Sequence, residues 1–333
     1  MTDRSNPQSR ADHEDAETRS FLDKSRPKLE QLENIRLEKL QLYEKRKKLA
    51  IPVGAIITPF LGWIDYWLLI WQSGNDDTAA GVTIAGLGML WGWVTQPKRQ
   101  YARAYKRDIL PDLAGLFGPF RYDGKGKIPM ERMKPSKIVP GHTTYKSEDL
   151  FTGEYKKVGI NFSEIKLKRR SGKRTVTVFN GLAILLSSGT RRFYGHTIMI
   201  RDQGKIGGWL KKQTAGLERA DLVDPEFEKI FDVFTNDQVE ARYLSDPRII
   251  ENLKALYSEY SGQKMMAAFY DDHFLILISS AKNHFEPASI QLPATNEASI
   301  LSMKREIEQI LSIVDRLSLY DPRNLRRSED NAA

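Results

Sequence analysis

Five residues in the second half of the chain have types that could bind a metal ion. Asp271, Asp272 and His273 are consecutive, and His284 and Glu286 follow a short distance along the chain. Imidazole nitrogens and carboxylate oxygens are common ligands of zinc. Acidic residues are also typical of a tight turn between strands, because Asp side chains bond to nearby backbone N–H groups. We favour the turn, and we predict neither a metal site nor a metal cofactor.

A second polar group, Asn236, Asp237 and Glu240, precedes a stretch with helical character. Its carboxylates could serve acid–base catalysis, and capping of a helix N-terminus explains the same residues equally well. The segment GKIGGWLKK at 204–212 lacks the spacing of a phosphate-binding loop, and the chain contains no nucleotide-binding, zinc-protease, serine-hydrolase or kinase signature. We therefore predict a protein that is not an enzyme and needs no cofactor. A membrane-tethered enzyme is kept as an alternative.

The most distinctive block of the chain is PEFEKIFDVFTNDQVEARYLSDPRIIENL at 225–253. Together with VFNGLAILL upstream and AAFYDDHFLILI…HFEP downstream, it resembles an uncharacterised family of bacterial inner-membrane proteins over about residues 100–290. The resemblance implies two N-terminal membrane helices, a cytoplasmic domain and no established activity, substrate or cofactor. Members occur near LemA-like membrane proteins, which implies a partner of that kind. The residues that carry the resemblance are Phe227, Glu228, Phe231, Asp237, Gln238, Glu240, Ala241, Arg242 and Tyr243.

A structural interpretation of this block is also available. Its apolar residues could belong to a hydrophobic core, and Glu240 could pair with Arg242 to fix a turn between a strand and a helix. On this interpretation the apolar core residues are Phe227, Ile230, Phe231, Val233, Tyr243 and Leu244.

Two apolar runs near the start of the chain indicate a membrane protein. The first extends from Ala50 to Trp71 and the second from about Ala79 to Thr95, with only QSGNDDT between them. A helix rises about 1.5 Å per residue and the hydrocarbon core is about 30 Å thick, so the first run can span it and the second is marginal. We predict a transmembrane helical hairpin at 49–95.

Basic clusters at both ends of this pair predict its orientation. They comprise Lys45, Arg46, Lys47 and Lys48 before the first run, and Lys98, Arg99, Arg103, Lys106 and Arg107 after the second. The connecting loop contains Asp76 and Asp77 and no basic residue. Because cytoplasmic flanks are rich in Lys and Arg, we predict a bacterial inner-membrane protein with both termini in the cytoplasm.

Asp65 is an ionisable residue inside the first run, and such residues are candidates for a functional role. It lies about six residues from the outer end, among aromatic side chains typical of a membrane–water interface. Two interpretations are open, namely a carboxylate that reaches the outer headgroups and one with a buried partner or a proton role. The residues predicted at the membrane interface are Asp65, Trp63, Trp67, Trp71, Trp91 and Trp93.

Small residues recur every four positions along both runs, which favours close helix packing. They line one face of the first run at Gly54, Thr58 and Gly62, and faces of the second at Gly81 and Ala85 and at Gly88 and Gly92. These faces predict either packing of the hairpin against itself or association with another membrane protein or a second copy.

Composition limits the remaining classes of protein. The 333 residues carry a formal net charge of +8 and include no Cys, which excludes disulfides and thiolate metal sites. We expect no cleavable signal peptide, because a long polar stretch precedes the first apolar run. Residues 98–174 hold 20 Lys and Arg against 8 Asp and Glu. This basic stretch predicts contact with anionic lipid, while nucleic acid is disfavoured because no aromatic–basic motif accompanies the charge.

The spacing of apolar residues predicts the soluble elements. Residues 1–16 are expected to be a disordered tail, and 17–48 a cytoplasmic helix, with Leu29, Leu32, Leu40 and Tyr43 at 3–4 spacing interrupted by Arg36. This helix is either a coiled coil or one continuous helix that enters the first membrane run. A juxtamembrane helix is predicted at 96–120, with Tyr101, Tyr105, Ile109 and Leu113 on one face and a break or bend at Pro111. Residues 121–154 are predicted to form an irregular linker.

An α+β domain of antiparallel strands with helices is predicted at 155–322, followed by a disordered tail at 323–333. Alternation on either side of RRSGKR predicts a first hairpin, with a bulge at Ser163–Glu164. A further strand is predicted from Phe193 to Ile200, and a second hairpin around Asp271–Asp272–His273. Helices are predicted from Asp246–Pro247 to about Tyr260 and in an amphipathic C-terminal segment that begins near Ile300.

These features together predict a membrane-anchored scaffold or adaptor that gathers partners at the cytoplasmic face and associates with itself. The predicted partners are the lipid bilayer, a second copy or another membrane protein such as a LemA-like one, and anionic lipid. An anionic-lipid-sensing module is the main alternative.

Overall fold

The computed structural model describes residues 7–71, 81–172, 174–188, 192–201, 231–244 and 264–316, together with 214, 216–220, 251, 253–255 and 258. The helices are α1 (Pro7–Trp71), α2 (Gly81–Gly115), α3 (Met130–Met133), α4 (Gln238–Leu244) and α5 (Glu297–Arg316). The strands are β1 (Arg121–Asp123), β2 (Thr144–Tyr155), β3 (Val158–Ser171), β4 (Arg174–Ser188), β5 (Thr197–Arg201), β6 (Glu218–Arg219), β7 (Asp232–Thr235), β8 (Met265–Tyr270) and β9 (His273–Ser279).

The chain divides into two compact units. One unit comprises Met1–Leu110 with Glu286–Ile300, and the other comprises Pro111–Phe285 with Leu301–Ala333. The first unit is therefore built mainly from α1 and α2, and the second contains the sheet.

α1 is one continuous helix of 65 residues that joins the polar N-terminal segment to the first apolar run. This agrees with the second of the two interpretations of residues 17–48. The helix begins at Pro7, inside the stretch 1–16 for which we predicted disorder.

Only one helix among the described residues is long and apolar enough to cross a membrane, and it is α1. By length and composition, the structure therefore contains one candidate membrane span among the described residues, where two were predicted. The second run is shorter and contains four glycines, and both features weaken it as a spanning helix. Of the most apolar 18 residues of α1, only 6% are buried inside the protein.

The polar half of α1 packs within its own chain. Leu29 and Leu32 are 3% and 1% exposed, so these leucines are not available to a coiled-coil partner, and the predicted coiled coil finds no support. Arg36, which interrupts the apolar spacing, donates to the Ile290 carbonyl at 2.6 Å and to both carboxylate oxygens of Glu33. Glu33 in turn accepts from the Ala294 N–H at 2.7 Å. The burial of this polar pair explains why the spacing is interrupted there.

The predicted juxtamembrane helix is the second half of α2. Tyr101, Tyr105, Ile109 and Leu113 are all buried, which confirms that they share one face. The helix continues past Pro111 to Gly115, so the break predicted at that proline is absent. The helix N-terminus tolerates proline best, but an interior proline costs only one hydrogen bond and a local bend when packing holds the helix on both sides.

The second unit contains a nine-stranded antiparallel sheet in the order β1-β2-β3-β4-β9-β8-β5-β7-β6. Both predicted hairpins are present, since β3 turns into β4 at Ser171–Arg174 and β8 turns into β9 at Asp271–Asp272. The segment 121–154, predicted to be an irregular linker, contains β1, α3 and the twelve-residue β2. The sheet has short strands at both edges, three residues in β1 and two in β6.

β3 bears out one sequence prediction in part. The change of alternation at Ser163–Glu164 predicts a bulge, and the pairing with β2 shifts at this point, because Glu148 pairs with Glu164 and the next pair is Phe151 with Phe162. The extra residue lies in β2, and both Ser163 and Glu164 pair with β4 in unbroken register. Ile165 and Leu167 belong to a core cluster on one face, and Ile160 and Phe162, on the other face, are fully buried. β3 is therefore covered on both sides, which produces apolar residues at odd and even positions without an insertion in β3 itself.

Replacement of Arg36 tests how the polar half of α1 is held. Arg36→Ala should lower the free energy of unfolding by about 3 kcal/mol, because it leaves the Glu33 carboxylate without its partner in a largely buried site. The double replacement Glu33→Gln with Arg36→Met should cost less. Lys39→Ala, which removes an exposed pair with Glu38, is the matched control and should have little effect. Unfolding in detergent solution, followed by circular dichroism, measures the difference. Equal stability of Arg36→Ala and Lys39→Ala would show that this contact does not hold the helix.

Candidate functional site

The apolar segments of α1 and α2 contact each other within the first unit. A methyl group added at Gly54 of α1 would lie 3.6 Å from the Leu90 side chain of α2. One added at Gly86 of α2 would lie 2.2 Å from a terminal methyl of Leu61 of α1, so a larger residue there would require that side chain to move. The two apolar segments therefore pack closely at small residues, as helices in lipid commonly do.

The small residues predicted to line packing faces only partly coincide with this contact. An added methyl group at Gly62, Gly81 or Gly88 would meet nothing within 4 Å, and one at Gly92 would meet only the Arg99 guanidinium. Ala85 is exposed and Thr58 is partly buried. Gly86, the glycine closest to the neighbouring helix, was missed. The signal that could have found it is the spacing of Val82, Gly86 and Leu90, which repeats every four residues as an α2 face.

Asp65 is buried, at 5% exposure, and its carboxylate bonds to the start of α2. Its two oxygens accept from the backbone N–H groups of Val82 at 3.0 Å and of Thr83 at 2.9 Å. The first N–H groups of a helix have no partner within the helix, and a side-chain oxygen that accepts from them acts as a cap. Of the two interpretations of Asp65, the structure therefore supplies a buried partner, which is the backbone of α2.

The aromatic residues predicted at a membrane interface point away from the rest of the protein. Trp63, Trp67 and Trp71 of α1 are 61%, 51% and 74% exposed, and Trp91 and Trp93 of α2 are 71% and 40% exposed. Trp67 and Trp71 stack with ring centroids 5.8 Å apart. Large aromatic side chains left uncovered at this density need an apolar environment that the described part of the chain does not provide.

Basic residues from both helices meet where the apolar segments end. Arg46 of α1 donates to the Trp93 carbonyl and to Gln96 of α2, both at 2.7 Å, and its guanidinium lies 4.8 Å from the centre of the Trp93 ring. The Lys98 ammonium lies 4.0 Å from the centre of the Tyr43 ring, and Arg99 donates back to the Gly92 carbonyl. We call this cluster of Lys45, Arg46, Lys47, Lys48, Lys98 and Arg99 the basic collar.

The polar residues of the family block hold backbone in place. Glu240 of α4 accepts from the N–H groups of Tyr194 at 3.0 Å and of Gly195 at 2.6 Å. Asn236 accepts from the His196 N–H at 2.6 Å, and Asp237 caps α4 by accepting from the N–H groups of Val239 and Glu240. The capping interpretation of these residues thus describes what they do here. The carboxylate of Glu240 binds the 194–195 backbone, in place of the predicted pair with Arg242.

The other residues of this block divide between core and surface. Phe231 and Ala241 are buried, Gln238 donates to the Arg219 carbonyl and Arg242 is exposed. Phe227, Glu228 and the Tyr243 side chain lie outside the described residues. Beside the Glu240 contact, two apolar side chains are left uncovered, Tyr194 at 94% and Val239 at 79% exposure. We call Tyr194 and Val239 the exposed pair.

The acidic turn between β8 and β9 carries a second polar cluster. His273 lies with Nδ1 2.5 Å from the Asp272 carboxylate and with Nε2 3.2 Å from the Arg132 guanidinium. Arg132 also donates to the Ser187 hydroxyl at 2.6 Å, and its carbonyl accepts from the Tyr270 hydroxyl at 2.7 Å. The guanidinium thus bonds both to Ser187 and to the histidine. The arrangement ties α3 to the ends of β4, β8 and β9.

His284 does not join His273 and lies in a separate buried group. Its backbone N–H donates to Glu164, and its Nδ1 lies 3.8 Å from the Glu306 carboxylate, which also binds Lys282 at 2.5 Å. Burial, with the nearby Lys282 ammonium, lowers the pKa of His284 to about 4. Burial also raises the pKa of Glu306. Beside this group, a pocket of about 200 Å³ is lined by side chains of both charges, among them Lys146, Glu148, Glu164, Lys166 and Lys282.

The five residues considered as metal ligands are therefore not one cluster. Among the described residues, no group of three or more His, Asp or Glu side chains is arranged to hold a metal ion. Glu286, the remaining candidate, pairs with Lys106 at 2.7 Å.

Comparison with known proteins relates part of the chain to a family. Residues 177–319 match the sequence model of a family described as "Protein of unknown function (DUF3137)", which confirms the resemblance to an uncharacterised family. The match begins after the two apolar segments and does not include them. No curated protein matches the chain in sequence. The crystal structure of the mycobacterial trehalose monomycolate transport factor A, TtfA, is similar with a TM-score of 0.35 and 11% identity, over 66% of this chain and 96% of that chain. Similarity at this level supports no conclusion about function.

Replacement of Asp65 tests its role as a cap on α2. Asp65→Leu should lower the midpoint of unfolding by dodecyl sulfate, because the Val82 and Thr83 N–H groups lose their acceptor in an apolar environment. Asp65→Asn keeps one acceptor oxygen and should have a smaller effect. Tyr66→Leu, at the exposed neighbouring position, is the control. An unchanged or higher midpoint for Asp65→Leu would contradict the capping role.

The buried His284 predicts a pH dependence of stability. The unfolded chain binds a proton as the pH falls below about 6.5, whereas folded His284 binds one only near pH 4, so acid favours unfolding in this window by up to about 1.4 kcal/mol per pH unit. Glu306 acts in the opposite direction, because its raised pKa favours the folded state as the pH falls. Removing the histidine with His284→Gln should therefore reduce or reverse the loss of stability in acid, as measured by denaturant titration. His142→Gln, which removes an imidazole elsewhere, is the matched control; the same slope in both variants would rule out His284 as its cause.

Proposed function

We propose that this chain, whose residues 177–319 belong to a family described as protein of unknown function, is a membrane-anchored adaptor that gathers partners at the cytoplasmic face of a bacterial inner membrane. The sheet-containing unit would present the binding surface. The apolar segment of α1 would provide the anchor.

The single observation that carries this proposal is the uncovered apolar segment of α1. Its large side chains are exposed along its whole length, for example Ile51 at 78%, Ile56 at 74% and Ile70 at 64%. A helix in the core of a soluble protein would have these side chains covered. Burial in lipid removes the same area from water at about 25 cal/mol per Å², which makes insertion strongly favourable.

The finer proposal is that the apolar half of α2 enters the bilayer beside α1. Two observations support this proposal. The side chains of Ile84, Met89 and Trp91 of α2 are 68%, 76% and 71% exposed. Asp65 of α1 caps the start of α2. The basic collar lies at the end of both segments where the chain enters and leaves them, which favours a cytoplasmic location of both termini.

The proposed adaptor would bind its partners more readily because it is anchored in the membrane. A domain confined to a membrane meets other membrane proteins at a high effective concentration, so a small contact surface suffices for binding. The exposed pair suits such a contact, because tyrosine is enriched among the residues that dominate binding energy, and Glu240 fixes the backbone that presents Tyr194. The partner we propose is another membrane-anchored protein, of the LemA-like kind that the family resemblance implies, and a second copy of the chain is the alternative.

Extraction from membranes tests the anchor. The full chain should stay with the membrane fraction in alkaline carbonate and require detergent for release. A variant with Ile56, Phe60 and Trp67 changed to Glu should move substantially to the aqueous fraction, since each charge at mid-membrane costs about 2–3 kcal/mol. Changing the exposed residues Lys134, Glu148 and Arg170 of the second unit to Gln is the control and should not affect fractionation. Recovery of the unaltered chain from the aqueous fraction without detergent would overturn the proposal.

Photo-crosslinking in native membranes tests the adaptor surface. A photoreactive amino acid in place of Val239 should give adducts of defined mass, and Tyr194→Ala in the same chain should reduce their yield severalfold. The same photoreactive group in place of Glu148, which is exposed elsewhere on the sheet-containing unit, is the control. Equal yields at both positions, or yields unaffected by Tyr194→Ala, would exclude the exposed pair as the binding surface. Adducts at twice the mass of the chain would identify the partner as a second copy.

A second candidate function is the binding of anionic lipid by the tip of the β3–β4 hairpin. Beyond Lys168, β3 pairs only with β4, and this tip carries Arg169, Arg170 and Arg174, all exposed. A cluster of cations of this kind is attracted to an anionic membrane surface by about 1 kcal/mol per nearby residue. This candidate differs from the adaptor in needing no protein partner.

A further inference from the structure

We propose that the basic collar is a binding site for the phosphate headgroups of anionic phospholipids. The inference rests on the proposed insertion of α1 and deepens it, since it assigns a ligand class to the end of the anchor. It differs from the second candidate above in the residues that bind the lipid.

The cations of the collar have no acidic partner among the residues that the structure describes. Among the ion pairs of the described residues, none involves Lys45, Arg46, Lys47, Lys48, Lys98 or Arg99, although neighbouring cations on the same helices do pair. Lys39 pairs with Glu38, Lys106 with Glu286 and Arg107 with Asp108. Six adjacent cations that the protein leaves without carboxylates repel one another, and an external anion relieves that repulsion.

The collar is also a built arrangement in which two distant segments of the sequence meet. Arg46 is held by the Trp93 carbonyl and the Gln96 side chain, and Lys98 is held over the Tyr43 ring. These contacts place the 45–48 and 98–99 clusters side by side within one unit. Arg46 uses one terminal nitrogen for the hydrogen bonds to Trp93 and Gln96, so its other N–H groups remain to face a phosphate, which guanidinium binds through two parallel hydrogen bonds.

The position of the collar favours a lipid phosphate over a soluble anion as its ligand. The cations follow directly on the apolar segments, so insertion places them at the depth of the lipid phosphates. Trp93 and Tyr43, which the cations contact, are residue types that prefer the same depth. A phospholipid with a net negative charge is favoured over a zwitterionic one, because the latter carries its own cation next to the phosphate.

The experiment compares lipid retention by the full chain in nanodiscs of phosphatidylcholine mixed with phosphatidylglycerol, using native mass spectrometry after release. The unaltered chain should retain phosphatidylglycerol preferentially. Arg46→Gln with Lys98→Gln and Arg99→Gln should lower this preference at least about tenfold, given about fivefold per cation near a membrane surface. Arg169→Gln with Arg170→Gln and Arg174→Gln removes the same charge from the hairpin tip and separates this proposal from the second candidate, which predicts that this variant loses the preference while the collar variants keep it.

A second collar variant tests the proposal if the first variant fails to fold. Lys45→Gln with Lys47→Gln and Lys48→Gln removes three exposed cations that make no described hydrogen bond, and it should also lower the preference about tenfold. Retained preference in both collar variants, or equal loss in the hairpin-tip variant, would overturn the proposal. Displacement of the bound phospholipid by millimolar inorganic phosphate would also overturn it, in favour of a soluble anion as the ligand. Failure of the unaltered chain to enter nanodiscs would instead refute the proposed anchor.

Discussion

The apolar surface that α1 leaves uncovered is the constraint on which the rest of the first unit depends. A helix with tryptophan and isoleucine side chains at half to three-quarters exposure cannot remain in water without association. Other features of this unit fit the transfer of that surface to lipid. Glycine at position 86 permits close approach of α2, Asp65 provides acceptors for two N–H groups at the start of α2, and the cations are kept to the ends of the apolar segments.

Three carboxylates, of types that could act in catalysis, accept hydrogen bonds from backbone N–H groups in this protein. Asp65 accepts from the first turn of α2, Glu240 from residues 194 and 195, and Glu33 from residue 294. In each case the donor is distant in sequence, so the carboxylate joins two segments. A buried N–H group without an acceptor costs free energy comparable to a lost hydrogen bond, and a carboxylate is the strongest acceptor available. Acidic residues at unusual positions in a sequence are therefore as compatible with long-range backbone capture as with acid–base chemistry.

Much of the fold follows from the sequence, and the exceptions have a common cause. The hairpins at RRSGKR and Asp271–Asp272, the buried face of α2 and the continuous N-terminal helix are local patterns, and local reasoning finds them. The linker predicted at 121–154 was wrong, because the Gly- and Pro-rich stretch conceals elements that belong to the sheet or pack against it. The bulge predicted at Ser163–Glu164 has the right place along the strand and the wrong strand, since the extra residue lies in β2, and two-sided burial of β3 contributes to the change in alternation. The Asp65 and Glu240 contacts join residues 17 and 45 or more positions apart, which no local pattern records.

The edges of the sheet have a consequence for the proposed membrane anchor. Copies confined to one membrane would collide repeatedly in similar orientations, and long open edge strands would then pair into ordered aggregates. β1 and β6 offer three and two residues, too few for a stable intermolecular ladder. β3 is paired on both sides for most of its length, and β4 pairs with β9 from Gly181 to Ser187. If α1 anchors the chain in a membrane as proposed, edge strands this short would limit edge-to-edge pairing between the sheets of neighbouring copies.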